Sequence, residues 1–530
     1  MSDLVLLGDE AVALAAVHAG LTAAYAYPGT PSTEILEYLV RYERRHGAPR
    51  ASWATNEKTA YEAALGVSFA GRRALTSMKH VGLNVAADPF MNSAIVSVHG
   101  GLVVVVADDP GMHSSQNEQD TRYYADFARV ICLEPATQQE AYDLTREAFD
   151  LSERFHVPVV VRLVTRLAHS RAVVRVGEPR AENPVAKAPV AASWTLLPGN
   201  ARRQWRALID RQPEFDAWSE QAAPNRLDVA DGADLGVITT GIARNYYEEN
   251  AEDLGRRLPH LHIGAYPIPA NLVRRLARQV RRLLVLEEGY PYVERLLRGL
   301  LPPTLEIAGR MSGAVPPDGE LTPDLVRRAL GLAERPGQAT REFPLPGRPP
   351  QLCAGCPHGD SFQALTQALE GLATPVVTSD IGCYTLGALP PYNAVDSCVC
   401  MGASVGMAKG ASDAGLKPAV AVIGDSTFLH SGVTPLMDAV AANTDMTLFI
   451  LDNETTAMTG GQPTILPPSR IEKVVLGLGV DPAHCRVITA HHRFADENRA
   501  LIAKEVAYQG LSVVIAVREC IETMKTKKKG

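Results

Sequence analysis

The sequence predicts an α/β protein of three domains, each a parallel sheet flanked by helices. Three observations carry this. Apolar runs such as 101–107 (GLVVVVA) and 157–164 (VPVVVRLV) alternate with helical patterns, and that alternation argues for parallel α/β units. Two breaks, the Pro- and Ala-rich stretch at 177–200 and 344–350 (PLPGRPP), interrupt the pattern as boundaries do. The length, 530 residues, suits roughly three or four domains.

Taken in order, the first domain is expected over 1–176. A linker follows over 177–230, its second part (201–230) polar and helical. A second α/β domain is expected over 231–340, with strands at 235–240 (LGVITT), 261–265 and 282–286 (RLLVL). The third runs over 351–530, with strands at 419–423 (AVAVI), 446–451 (MTLFIL) and 511–517 (LSVVIAV). No repeat period of the solenoid kind is present.

Composition narrows the function. A net charge of −7 and a pI near 6.1 give no electrostatic reason to expect nucleic acid. No apolar run approaches the length of a membrane span. The N-terminus lacks a basic segment, and Asp9 and Glu10 interrupt its apolar stretch. No signal peptide is therefore expected, and a cytoplasmic location is. Lys525 and 527–529 form a basic tail that reads as a solvated end. Eight cysteines in so long a chain suggest ligands rather than a disulfide scaffold.

The most specific local signal is Gly424-Asp425-Ser426 followed by Asp452-Asn453. Each motif ends a strand-like run, and two such parallel strands place their C-terminal ends together, where α/β sheets bind ligands. Gly424 has no Cβ and lets a phosphate approach the backbone. Asp425, the Asn453 side-chain carbonyl and the Thr455 main-chain carbonyl are oxygen donors of the kind Mg²⁺ takes. The segment after Ser426 reads as a turn and then a helix, whose first N–H groups would face a diphosphate. An ordinary strand-turn-helix crossover with an aspartate in the turn is the competing reading of a lone GDS motif.

Further motifs are longer. Residues 27–34 read YPGTPSTE, 56–58 NEK, 78–84 MKHVGLN, 107–122 ADDPGMHSSQNEQDTR, 352–358 LCAGCPH, 379–387 SDIGCYTLG and 396–402 DSCVCMG. Together, and over essentially the whole chain, they resemble the large (alpha) subunit of indolepyruvate:ferredoxin oxidoreductase, in the 2-oxoacid oxidoreductase family. The resemblance implies a thiamine diphosphate-dependent enzyme with a pyrimidine-binding domain (1–176), a transketolase C-terminal-like domain (231–340) and a pyrophosphate-binding domain (351–530). It implies oxidative decarboxylation of an arylpyruvate such as indolepyruvate or phenylpyruvate to the aryl-acetyl-CoA. It also implies a homodimeric core that small partner subunits join to give a heterotetramer, which hands electrons to ferredoxin or another external acceptor. Many members carry a C-terminal ferredoxin-like domain with repeated cysteine runs, and none follows Cys520 in this sequence. A non-oxidative thiamine diphosphate decarboxylase or carboligase, and a non-catalytic scaffold subunit, are the rival expectations.

The resemblance also assigns roles. Glu57 is the carboxylate beside N1′ of the aminopyrimidine, promoting the tautomer that removes the C2 proton. Thr30 and Thr33 are candidates for binding the 2-oxoacid, with helix N-capping as their alternative. Arg122 and Lys79 are candidate partners for its carboxylate. His430, His80 and His113 are candidate proton carriers. Pro28, Gly29, Gly382, Cys383, Tyr384, Gly402, Gly424, Ser426 and Thr427 are expected around the cofactor. In related enzymes a C-x-x-C pair, one downstream cysteine and one late cysteine hold a [4Fe–4S] cluster, which here are Cys353, Cys356, Cys383 and Cys520. A Cys₄ zinc site has the same ligand set, buried thiols are a further reading, and Cys398 or Cys400 could replace Cys520.

Overall fold

A computed structural model describes residues 2–230, 232–335 and 350–527. It forms two compact units, 1–339 and 340–530, each with its own apolar core.

The first unit holds two main sheets. The larger has seven strands in the order Ala265–Tyr266, Cys132–Leu133, Val159–Val164, Leu102–Asp108, Ala74–Lys79, Ala23–Ala26, Arg50–Trp53. All are parallel except Ala265–Tyr266, which runs antiparallel along Cys132–Leu133. Leu102–Asp108 is buried at every position, as a strand covered on both faces requires. The second sheet orders Glu306–Ala308, Arg282–Leu286, Leu235–Thr240, His260–Ile263 and the antiparallel Arg226–Asp228. A short antiparallel ribbon pairs Ser2–Leu7 with Arg171–Val176.

The expected strand at 261–265 is two strands. His260–Ile263 stays in the second sheet, and Ala265–Tyr266 crosses to the edge of the first. Gly264 makes the crossing, in a place where a Cβ would lie 2.9 Å from Pro224 Cβ. The two sheets share one apolar core that also takes Leu208 and Phe215 of the helix Pro198–Ser219. Phe215 meets Phe155 edge-on at 5.0 Å, so the polar helix expected in the linker is packed down on its apolar side.

The second unit carries six parallel strands in the order Ser397–Cys398, Val376–Ser379, Ala419–Gly424, Met446–Asp452, Leu511–Val517, Cys485–Thr489. Side chains alternate between the faces. Ala419, Ala421 and Ile423 join Val405, Leu436 and Val475 on one side, while Val420 and Val422 join Phe362, Leu365 and Ile502 on the other. Gly424 stands opposite Leu451, so the two motif-bearing strands end side by side as the sequence predicts. The boundary expected at 344–350 lies outside the described residues except for Pro350, as do residues 528–530 of the tail. The helix Ile521–Lys527 contains Lys525, which pairs with Glu522 at 2.7 Å.

Candidate active site

The second unit builds its site at the C-terminal ends of Ala419–Gly424 and Met446–Asp452. Asp425 is buried and receives the N–H of Ser426 at 2.7 Å and of Asn453 at 3.2 Å. Its carboxyl also lies within hydrogen-bonding reach of that of Asp452, itself buried, whose Oδ2 meets no N–H or hydroxyl donor. Burial first, and then the charge of Asp452, push Asp425 well above the usual carboxylate range. Burial lifts Asp452 to about 6. Two adjoining buried carboxyls with an orphaned oxygen fit a hard divalent cation, because unpaired buried charge is costly. Asp452 is the residue that sequence reasoning undervalued, treating it as half of a motif and not as a donor.

Asn453 is a junction. Its Oδ1 accepts the N–H of Thr455 at 3.2 Å, its main-chain carbonyl accepts the N–H of Cys520 at 3.1 Å, and its Nδ2 lies 3.2 Å from His358 Nε2. Burial lowers His358 to about 4, so its imidazole is neutral and acts as acceptor. The Thr455 hydroxyl bonds to the Gln462 carbonyl at 3.1 Å, and Thr456 Oγ1 donates to Ser426 Oγ at 2.9 Å. From Asp425 the chain continues helically to Ala441 through a π-turn at Phe428–Gly432 that carries the buried His430. Such turns recur at functional sites.

Glycines shape this edge. A Cβ on Gly424 would lie 2.6 Å from the Tyr384 ring, and one on Gly382 2.2 Å from it. Gly424 therefore makes room for Tyr384, beyond the phosphate approach argued from sequence. The Tyr384 hydroxyl is held by Asp380, which burial lifts to about 6 and which accepts Ser404 Oγ at 2.6 Å. Gly402 has φ +84 and faces Ser431, beside His430. Thr427 Oγ1 donates to the Ile381 carbonyl at 3.0 Å.

The cysteines separate into groups. Burial pushes Cys383 up to about 12, and the nearby thiols of Cys356, Cys520 and Cys353 add to it. Cys398 instead neighbours Thr385, Asp380 and Cys400. Cys520 thus stands with the C-x-x-C pair and Cys398 does not. Among the described residues no three cysteines bring their Sγ atoms within 4.8 Å of one another. A single tetrahedral ion with metal–sulfur bonds of ~2.3 Å needs sulfurs ~3.8 Å apart.

The first unit carries the other predicted residues. Glu57 opens the helix Glu57–Phe69 behind the cap Asn56, whose side chain receives the Thr59 N–H, and it is buried. A Cβ on Gly82 would lie 2.6 Å from Glu57 Oε1, so Gly82 keeps the space that this carboxylate occupies. Gly82→Ala is expected to lower turnover about 100-fold, since a displacement near 1 Å costs that much, with an unchanged far-UV circular dichroism spectrum. Wild-type turnover would show that Glu57 does not need this position.

Lys79 lies across Gly29, its methylenes 3.2 Å from where a Cβ would stand, and its ammonium reaches the Ser114 carbonyl at 2.9 Å. Burial lowers it to about 8, against the raising charges of Asp109 and Glu57. Thr33 is buried and its hydroxyl accepts the Gly29 N–H at 2.9 Å, closing the turn. Thr30 is partly exposed and its carbonyl accepts Ser114 Oγ at 3.3 Å. Pro28 is buried in the same turn.

Arg122 departs from expectation. It is fully buried and engaged by Asp120, by Glu287 at 3.0 Å, and by the main-chain carbonyls of Glu288 and Tyr290 at 3.0 and 3.1 Å. Its guanidinium joins the two sheets, and its charge is met by acidic groups of this chain. A basic residue in a long motif gave no sign of this, because Asp120 alone of these acceptors is local, and Glu287, Glu288 and Tyr290 lie over 100 residues away. His113 is exposed and lies 3.6 Å from Glu320. His80 is buried, with Nε2 3.1 Å from the Asn117 carbonyl and Nδ1 lacking a partner.

Residues 14–210 match the family described as pyruvate flavodoxin/ferredoxin oxidoreductase, thiamine diphosphate-binding, and 380–516 the C-terminal cofactor-binding domain of thiamine pyrophosphate enzymes. The chain is 38% identical to the indolepyruvate oxidoreductase subunit IorA of Archaeoglobus fulgidus, over 97% of this chain and 86% of that protein. It is 39% identical to the same subunit of Methanothermobacter thermautotrophicus, over 98% and 87%. The chain belongs to the IorA family of indolepyruvate oxidoreductase subunits.

As a member of that family it is part of a thiamine diphosphate-dependent 2-oxoacid oxidoreductase. Its fold is also that of a solved 2-oxoglutarate:ferredoxin oxidoreductase from Magnetococcus marinus with 2-oxoglutarate, coenzyme A and succinyl-CoA bound. The TM-score is 0.52 at 17% identity, over 62% of this chain and 65% of that one. Among the described residues no helix is long and apolar enough to cross a membrane.

Proposed function

We propose that this chain catalyses the oxidative decarboxylation of an arylpyruvate, indolepyruvate or phenylpyruvate, to the aryl-acetyl-CoA, with electrons leaving through a [4Fe–4S] cluster. The observation that carries the reading is the gathering of Cys353, Cys356, Cys383 and Cys520, the last bonded through its main chain to Asn453. The names of the relatives support indolepyruvate as the substrate. Coenzyme A as acyl acceptor follows the solved fold neighbour.

Asp425, Asn453 and the Thr455 carbonyl would hold Mg²⁺, with Asp452 beside them. Gly382, Gly402, Gly424, Ser426 and Thr427 would receive the cofactor's diphosphate end, with Tyr384 as a wall. Bound thiamine diphosphate supplies the electron sink for decarboxylation. Glu57 holds a proton at N1′, Pro28 and Gly29 shape the turn beside it, and His430 carries protons at the diphosphate edge. Lys79, with Thr30, binds the substrate carboxylate. Residues 1–176, 231–340 and 351–530 act as the pyrimidine-binding, transketolase C-terminal-like and pyrophosphate-binding domains. Two copies of the chain pair, each with a small partner subunit, in the cytoplasm, and ferredoxin or a similar carrier takes the electrons.

The test is anaerobic purification with the partner subunit, followed by iron analysis and dye reduction. About four iron atoms per chain and coenzyme A-dependent reduction of a viologen dye are expected, and Cys520→Ala should lose both. Full 2-oxoacid turnover by an iron-free protein would overturn the cluster and favour a non-oxidative decarboxylase. Separately, Lys79→Met is expected to raise KM for the 2-oxoacid at least about tenfold, the worth of one charge-assisted hydrogen bond, with kcat less affected. An unchanged KM would remove Lys79 from the substrate site.

A further inference from the structure

We infer that Asp9, Glu34 and His169 form a second cation site, distinct from the Asp425 centre, that takes a divalent first-row transition ion. Among the described residues they are the one set whose ligand atoms, two carboxylate oxygens and an imidazole nitrogen, all lie within 4.8 Å of one another. Glu34 Oε2 is 3.4 Å from His169 Nε2.

Asp9 points to the ligand. It is fully buried, no N–H or hydroxyl donor reaches either of its carboxylate oxygens, and its carboxyl lies within hydrogen-bonding reach of that of Glu34. An ionised carboxylate does not stay in such a place alone: it takes a proton or a cation. Its position at the start of the helix Gly8–His18 suggests a cap, but that task belongs to Glu10, which receives the Leu7 N–H at 3.0 Å. Asp9 therefore has no local function that would account for its burial.

The fold brings the three together from separate elements. The ribbon sets Leu7 opposite Arg171, which draws the next residues toward Thr165–His169. Gly8 permits the contact, since a Cβ there would lie 2.2 Å from the Leu167 carbonyl oxygen. Glu34 enters from the first turn of Thr33–His46. His169 is exposed enough to give an ion a way in from solvent. One imidazole with two carboxylates suits Zn²⁺ or Mn²⁺, whereas Mg²⁺ takes oxygen ligands. A bound ion would pin the end of the 27–34 turn to the N-terminal helix and to Thr165–His169.

The test uses the full chain carrying Asp425→Asn, so that the other centre does not contribute, and Mn²⁺ as the probe, because thiolates are poor ligands for it. Electron paramagnetic resonance of free Mn²⁺ is expected to show one bound ion per chain. Asp9→Asn and His169→Gln should each weaken it about tenfold or more. Mn²⁺ should also raise the thermal midpoint of the Asp425→Asn protein and not that of the variants lacking Asp9 or His169. If Asp9→Asn does not fold, the exposed His169→Gln decides. Absence of bound Mn²⁺, or binding indifferent to both substitutions, would overturn the site and leave a carboxylic acid pair sharing a proton.

Discussion

Glu57→Gln is expected to reduce 2-oxoacid turnover by about 10²–10⁴-fold, the usual worth of a positioned acid–base group. Binding of thiamine diphosphate with Mg²⁺ should persist, because the diphosphate donors lie in the second unit and are untouched. The amide has the same shape as the carboxylate, so the pocket beside Gly82 is kept, and only the capacity to share a proton is lost. Dye-linked turnover together with calorimetric titration of the cofactor separates the two effects. Near-normal turnover would remove Glu57 from the chemistry, and a parallel loss of cofactor binding would make its role one of affinity.

The second large effect concerns the Asp425–Asp452 pair. Asp425→Asn is expected to weaken Mg²⁺-dependent cofactor binding by at least about 100-fold, more than the loss of an outer-shell partner costs. The same substitution should raise the thermal midpoint of the metal-free protein at pH 7.5, because it removes a carboxyl whose ionisation is opposed by burial and by Asp452. About 1 kcal/mol corresponds to roughly 2–4 °C in a unit of this size. The pH dependence follows in sign. A carboxyl whose folded pKa is raised favours folding while protonated, and that contribution is full below about 4. For Asp452 it is lost as pH rises through about 6. The metal-free wild-type protein should thus lose stability over that range, and Mg²⁺ should restore it at pH 7.5 but not at pH 4. Scanning calorimetry with and without Mg²⁺ checks both. A lower midpoint for metal-free Asp425→Asn would show that the pair is held by hydrogen bonds and not strained by its charge.

Much of this was legible in the sequence where local pattern decides structure. The strands Leu235–Thr240, Arg282–Leu286 and Leu511–Val517 have the bounds that their apolar runs suggest, since a strand covered on both faces has few polar positions. The two motif strands adjoin because parallel α/β order leaves few alternatives. What the sequence did not disclose is set by long-range neighbours. Arg122 reads as a substrate ligand in sequence, whereas in the fold Glu287 and the carbonyls of Glu288 and Tyr290 gather around it. The division of 261–265 depends on a sheet edge formed by Cys132–Leu133. Gly82 matters only through Glu57, and His358 only through Asn453. A glycine inside the helical MKHVGLN segment was the one signal available for the first of these, because glycine in a helix is costly unless something needs the space.

The crossing at Gly264 has a consequence for dissection of the chain. A fragment that stopped at 176 would leave Cys132–Leu133 as an open edge, with main-chain groups ready to pair with another molecule. It would also strip Arg122 of its Glu287 partner. Such a fragment is expected to self-associate, whatever care is taken over its apolar surface. The span 1–335 is the shorter piece that keeps both sheets, and limited proteolysis should reach the exposed 178–187 stretch without parting the halves it joins.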